Sequence, residues 1–463
     1  MKQNLLLCAA LFAASSAWAA VPTSVTLSGE ALAEEATVEC TKVADGKFEA
    51  FALLNGGKTL TAAGGDLSLN ATPGDKGVYR ITVDGNTSKL EIKKVVYFGL
   101  WPCWAKEPFE MKYAGKGVFA GSFNWSKLSN QDDRYQLVMR YTRDDDKNYK
   151  FGPVNRGNDY APDDNRVTDL STYYDLTFYA DAGEWDPKWK MANKYRNSNN
   201  YLVVATMRGA KFTHTITDVP AIPQAVTVSG SALTESASLN LNKVDEVTFE
   251  AFTKLKAGDL RISDGTNEYV IDNGILKKGA GVTSIAKDGV YCINIDMATN
   301  VSSVKEVNSI KFYPLGKFGP SGESLSYIGN GEWLGAIDIP ADENIQFNPN
   351  DYRIEMLLDN EIQHWGNAGD KNLKRVYWSF WGNAFNFGKA IKGEKFNLRA
   401  NFGTLPYNHS FEAYDPTAGI EDITVDNNAP VEYYNLQGMR VENPENGIFI
   451  RRQGNKATKI LVK

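Results

Sequence analysis

Short runs in which apolar and polar residues alternate recur along the whole chain, separated by Gly, Asn and Asp. This period of two predicts strands joined by tight turns, with nothing longer than a turn reading as helix. Residues 77–92, GVYRITVDGNTSKLEI, are the clearest case: alternation runs up to Asp84-Gly85-Asn86 and resumes beyond it. Gly and Asn tolerate the positive φ that a short hairpin turn demands. SVTLSG, VVYFGLW, YLVVATM and KFTHTIT extend the pattern, and the spacing of strands and turns predicts an all-β chain of tandem immunoglobulin-like β-sandwich modules.

The modules repeat. Residues 25–51 return without a gap as residues 226–252, with 14 of 27 positions identical. KGVYRITVD at 76–84 is echoed by DGVYCINID at 288–296, YAGKGVFAG at 113–121 by YIGNGEWLG at 327–335, and NYKFG at 148–152 by IQHWG at 362–366. A unit of roughly two hundred residues is therefore present twice, which means arrayed modules rather than one large core. The expected organisation is a signal peptide at 1–20, sandwich modules at 21–92, 93–218, 222–308 and 309–416, and a short C-terminal β domain at 417–463. The third module repeats the first and the fourth repeats the second. The last segment is too small to bury much core of its own.

Residues 1–20 carry one basic residue, Lys2, an apolar run over 5–14 and small residues ending in Ala17-Trp18-Ala19, the pattern of a secretory signal. No later run reaches the eighteen apolar residues of a spanning helix, so an exported protein without a transmembrane segment is expected. The net charge of −6 is mild and no basic stretch stands out, so nucleic acid is not an expected partner. Cys40, Cys103 and Cys292 remain after the signal, with no CxxC spacing; they read as incidental small buried residues, with a Cys40–Cys103 pair as the alternative. No carboxylate pair, phosphate loop or metal constellation is singled out by spacing, so neither catalysis nor a cofactor is expected. The acidic stretches 144–146 and 159–169 lack the spacing of a calcium loop and read as solvated turns.

The order SGxAL, then FEAFTKLKAGDLRISDG, then GVYxIxxD resembles the SusE and SusF outer-membrane glycan-binding proteins of Bacteroidetes, which are built of starch-binding-type β-sandwich modules. GEWLGAIDI with YRIEM and QHWGN, and GVFAGSFNW with YQLVM and YKFGP, look like divergent copies of that module. The resemblance spans about residues 25–415 and implies a polysaccharide ligand, a starch-like glucan, with an outer-membrane glycan transporter complex as partner. Two departures stand out. Glu34-Glu35 and Glu235-Ser236 occupy the place where the family has a Gly-Trp pair, which suggests that the first and third modules are scaffold, and the signal lacks a usable lipidation cysteine. In the tail, YYNLQGMRV at 433–441, NGIFI at 446–450 and KILVK at 459–463 resemble C-terminal sorting domains of type IX secretion, implying passage to the outer-membrane surface or the medium.

Sugar rings present C–H faces that stack on indole and phenol rings, while Lys, Arg, Asp and Asn take the hydroxyls. Two clusters have this composition. Trp101, Trp104, Trp185 and Trp189 with Tyr160 and Lys150 lie in the second module; Trp365, Trp378 and Trp381 with His364, Lys374 and Arg375 lie in the fourth. Trp333 aligns with Phe119 in the repeat and reads as core. The reading is a non-catalytic cell-surface or secreted polysaccharide-binding protein; the alternative is a structural or adhesive surface protein that binds another protein.

Overall fold

In a computed structural model, the described residues are 21–102, 108–124, 134–142, 149–154, 166–180, 188–195, 199–316, 324–341, 347–376, 383–416, 430–435, 438–445, 447–453 and 456–462. They form antiparallel β-sandwiches in tandem, grouped into two compact units: Met1–Val307 with Arg375–Ala384, and Asn308–Lys374 with Phe385–Lys463. Among them no helix is long and apolar enough to cross a membrane.

The first unit opens with two four-stranded sheets. One has the order Thr37–Glu39, Thr26–Ser28, Leu60–Gly64, Leu67–Ala71; the other Thr41–Ala44, Lys47–Leu54, Gly77–Asp84, Lys89–Lys94. Val25, Leu27, Leu60 and Ala62 meet Phe48, Ala50, Leu54, Ile81 and Val83 in one core. The SGxAL motif fastens the sheets. Gly29 has φ +112°, and a Cβ there would lie 2.5 Å from the Thr59 carbonyl oxygen; Gly230 repeats this with φ +126° and 2.3 Å to the Asp259 oxygen. Only glycine fits so close a backbone approach.

Strand Lys47–Leu54 is buried on both faces. Phe48, Ala50 and Leu54 enter their own core, while the opposite face gives Phe51 to the core of the next sandwich, against Phe119, Phe151 and Phe212 at ring-centroid distances of 5.9, 6.2 and 5.8 Å. Burial of such a phenylalanine contributes about 1.5–3 kcal/mol. Beside it Glu49 receives both ends of the Arg80 guanidinium, which also donates to the Tyr141 hydroxyl at 2.8 Å and lies 3.6 Å from the centre of the Phe178 ring. Burial alone would lower the Arg80 pKa; the Glu49 carboxylate outweighs it and raises it, so the ion pair stays charged.

The second sandwich sets a sheet of Phe109–Glu110, Tyr97–Pro102, Arg134–Arg140, Tyr149–Gly152 and Thr177–Tyr179 against Lys112–Gly115, Val118–Asn124, Asn200–Thr206, Thr213–Asp218 and Tyr174–Asp175. Trp189–Met191 extends the first of these sheets beside Arg134–Arg140. The third repeats the first, with Thr227–Ser229, Gly258–Ser263 and Glu268–Asp272 facing Thr248–Leu255 and Gly289–Asp296 around Val228, Phe249, Leu260, Ile262, Ile293 and Ile295. In the second unit, Phe347–Leu358 and Glu361–Asn367 form one sheet region, and Ser326–Gly329, Glu332–Asp338, Lys395–Asn401 and Asn408–Glu412 another. A last sheet, ordered Arg440–Val441, Val431–Tyr434, Gly447–Gln453, Lys456–Val462, has no fully buried side chain among its described residues.

Two devices recur in both copies. Lys116-Gly117 and Asn330-Gly331 take positive φ in hairpin turns, and the hydroxyls of Tyr113 and Tyr327 accept from the Gly117 and Gly331 amides at 3.0 and 3.1 Å. Deeper in, Tyr135 meets His214 Nε2 at 2.8 Å and Tyr352 meets His409 Nε2 at 2.7 Å. The far nitrogen of His409 is 2.9 Å from the Lys371 carbonyl, so the neutral ring donates at Nδ1 and accepts at Nε2.

Burial lowers both histidine pKa values from 6.5 to about 4. Above pH 6.5 the rings are neutral in folded and unfolded chains alike. As pH falls from 6.5 towards 4 the unfolded chain takes the proton first and stability is lost, by about 2 kcal/mol per histidine at pH 5. Urea midpoints measured at pH 7.5, 6 and 5 should therefore fall, and the fall should flatten in the His214→Asn, His409→Asn double variant. An equal slope in both proteins contradicts the assignment.

Candidate functional site

The candidate site is built on the side of the second sandwich's large sheet that faces away from its core. In Tyr97–Pro102, Phe98 and Leu100 point inward, so strand alternation turns Tyr97 and Trp101 outward; in Arg134–Arg140 it turns Gln136, Val138 and Arg140 outward, and in Tyr149–Gly152 it does the same for Lys150. The register lines these groups up. Trp101 is opposite Gln136, and Gly99, Val138, Lys150 and Tyr179 form one cross-strand row. Lys150 Nζ lies 6.0 Å from the centre of the Trp101 ring, within reach of a cation–π attraction. Tyr179 closes the row, its hydroxyl donating to the Pro153 and Val154 carbonyls at 2.6 and 3.1 Å.

The face is shielded and carries a small apolar cluster of its own, in which buried Tyr97 and Val138 pack with Val96 and Trp101. Gln136 is 3% exposed and Lys150 4%, while Trp101 is half-buried. Among the described residues, the buried Gln136 Oε1 atom has no hydrogen-bond partner. Connectivity attaches several aromatic segments to one end of this sheet. The chain leaves Pro102 into 103–107, enters at Arg134 from 125–133, and leaves Gly152 towards 155–165; residues 181–187 lead into Lys188 and Trp189 beside Tyr135. Trp104, Tyr160 and Trp185 belong to these segments and, like Trp378 and Trp381, lie outside the described residues.

Two tryptophans expected to offer open faces are interior. Trp189, 5% exposed, stands opposite Tyr135 in the sheet and packs on Tyr174 and His214 at 5.3 and 5.1 Å. Trp365, 3% exposed, packs on Phe402 and Tyr407 at 4.8 and 5.7 Å. The repeat explains the second case: Trp365 aligns with Phe151, which also enters its core, and period-two alternation puts neighbouring His364 on the other face. There His364 is buried, 4.7 Å from the Tyr313 ring, with Glu355 as its cross-strand partner. His364 is thus the counterpart of Lys150. Lys374 and Arg375 are both half-buried, and the Arg375 guanidinium pairs with buried Glu250.

The glutamates at 34 and 35 have a role that sequence reasoning missed. Glu34 accepts from the Tyr113 hydroxyl at 2.6 Å and from the Lys116 amide at 3.0 Å, and Glu35 pairs with Arg208 at 3.2 Å. They receive the turn of the second sandwich's hairpin. The signal was present in the charges of YAGKG and Arg208, but only the fold brings them together. Cys40 and Cys292 are buried free thiols, and burial pushes the Cys40 thiol up to about 12, so it stays protonated.

No protein-family model and no curated protein sequence matches the chain. Among solved structures it is similar to the crystal structure of SusF from Bacteroides thetaiotaomicron, at 12% identity and a TM-score of 0.27, with 84% of this chain and 91% of that chain covered.

The division between interior and outward indoles can be read by chemical denaturation. Trp189→Ala and Trp365→Ala should each cost about 3–5 kcal/mol, whereas Trp101→Ala, which removes a half-buried ring, should cost roughly half as much. A Trp101→Ala loss as large as the other two contradicts the assignment of this indole to the outward face.

Proposed function

We propose that the chain is a non-catalytic cell-surface or secreted protein that binds a polysaccharide, a starch-like glucan, through aromatic stacking in tandem modules. The observation that carries the reading is the outward face of the second sandwich, where the Trp101 indole, the Lys150 ammonium and the Gln136 amide oxygen adjoin. Trp104, Tyr160 and Trp185, in segments attached to the same end of the sheet, supply further rings, and Trp378 and Trp381 do so in the fourth module. Each face alone binds weakly, and the tandem array gains by effective concentration. The resemblance of residues 25–415 to SusE and SusF modules supports the ligand class. The N-terminal apolar segment and the sorting-type tail support export to the outer-membrane surface or the medium, where an outer-membrane glycan transporter complex is the partner.

Native gels cast with starch, other glucans and host glycans test this. The mature protein should be retarded by starch-type glucan; Trp101→Ala should reduce the retardation several-fold, and Trp378→Ala with Trp381→Ala should remove most of what remains. Unchanged mobility across the panel refutes glycan binding. Recovery of a specific protein ligand in its place establishes the adhesive reading.

A further inference from the structure

The second and fourth sandwiches share a sheet face that differs in charge. In strand Val118–Asn124, Phe119 and Phe123 enter the core, so Val118, Ala120, Ser122 and Asn124 point away from it. Tyr201, Val203 and Ala205 leave Asn200, Leu202, Val204 and Thr206 outward in the next strand, and His214 and Ile216 leave Thr213, Thr215 and Thr217 outward in the third. The register sets Ala120, Val204 and Thr215 in one cross-strand row and Ser122, Leu202 and Thr217 in the next. Ala120 and Asn124 are buried and the other outward side chains partly exposed; none of them is charged. In the fourth sandwich the same positions hold Glu332 for Val118, Arg399 for Val204 and Glu412 for Thr217, and Arg399 pairs with both glutamates at 3.0 and 2.7 Å. Asp338 and Lys395 pair there where the second sandwich has Asn124 and Asn200. The sandwich thus accepts charge on this face, and its second-module form carries none.

We propose that this uncharged face of the second sandwich docks a second copy of the chain, sheet against sheet about a twofold axis. Charge selects the occupant. Copies with a net charge of −6 repel one another at long range, and contact is least opposed where closing the surfaces strips water from no ion. On the fourth sandwich three carboxylates and two cations would have to be desolvated, and like faces would meet with like charge. The charges at the rim of the second-module face are already engaged: Asp175, opposite Thr213, pairs with Lys211, and Lys112 reaches Asn294 at 3.1 Å. An uncharged centre inside a polar rim is the usual anatomy of a protein interface. Tyr174 pairs with His214, which brings Tyr173 beside Thr215 at the edge, where it is 70% exposed and supplies an aromatic ring to the contact. Three strands of six or seven residues span roughly 350 Å² in projection. A stable interface buries about 800 Å² per partner, so this pairing is weak and reversible. The face lies on the far side of the sandwich from Trp101, and pairing does not cover that indole.

Sedimentation equilibrium of the mature protein, from micromolar to near-millimolar concentration, tests the pairing. The weight-average mass should rise towards that of a dimer. Val118→Glu, Val204→Arg and Thr217→Glu together install the ion-pair network of the fourth sandwich; this variant should keep its thermal midpoint within a few degrees and raise the dimer dissociation constant at least tenfold. A wild-type protein that stays monomeric throughout, or association that the folded variant leaves unchanged, overturns the proposal. If the triple variant does not fold, Thr215→Glu, a single charge placed amid the face, takes the same measurement with the same criteria.

Discussion

The structure depends on strands that are buried twice. Lys47–Leu54 lends one face to its own sandwich and the other to its neighbour, and a strand in that position cannot keep the usual polar outer face. Phe51 meets the demand with apolar area, and Glu49 with a charge that must be matched. Arg80 matches it with two hydrogen bonds to the carboxylate, one to Tyr141 and a ring contact to Phe178, so the same guanidinium that neutralises the first sandwich holds the second. Buried ion pairs of this kind add little net stability compared with apolar packing, but removing one partner is costly, and that asymmetry fixes the geometry.

The duplication shows which features the architecture requires. Glycines at 29 and 230, tyrosine-backed turns at 113–117 and 327–331, and buried tyrosine–histidine pairs appear in both copies because each answers a backbone or burial constraint of the sandwich itself. What changes between copies is what faces outward. Lys150 becomes His364, its cross-strand partner Val138 becomes Glu355, and the arginine of the first sandwich becomes Cys292. Differences of this kind give corresponding faces of the two copies different hydrogen-bonding and charge character on one scaffold.

The all-β class was legible in the sequence, because alternation, turn glycines and the internal repeat each report directly on local backbone geometry. Burial of Trp333 was legible for the same reason, through its alignment with Phe119. The orientation of Trp189 and Trp365 was misjudged where composition was weighed above parity: charged neighbours in sequence project to the opposite side of a strand and say nothing about its inward face. The NYKFG and IQHWG echo already held the correction for Trp365. The pairings of Glu34, Glu35, Glu49 and Glu250 could not be read, because each joins residues tens to more than a hundred positions apart, and in the third sandwich the arginine comes from a place the repeat does not indicate. Tyr135 with His214 was hidden likewise, since the two side chains meet only inside the finished core.

If strand Lys47–Leu54 belongs to two cores, the first two sandwiches cannot open separately. Native-state hydrogen exchange across a denaturant series measures this most directly. Amides of Lys47–Leu54 and of Val118–Asn124 should lose protection at the same denaturant concentration and with the same dependence on it. Loss of protection in Lys47–Leu54 at distinctly lower denaturant, with Val118–Asn124 still protected, would contradict the shared-strand account.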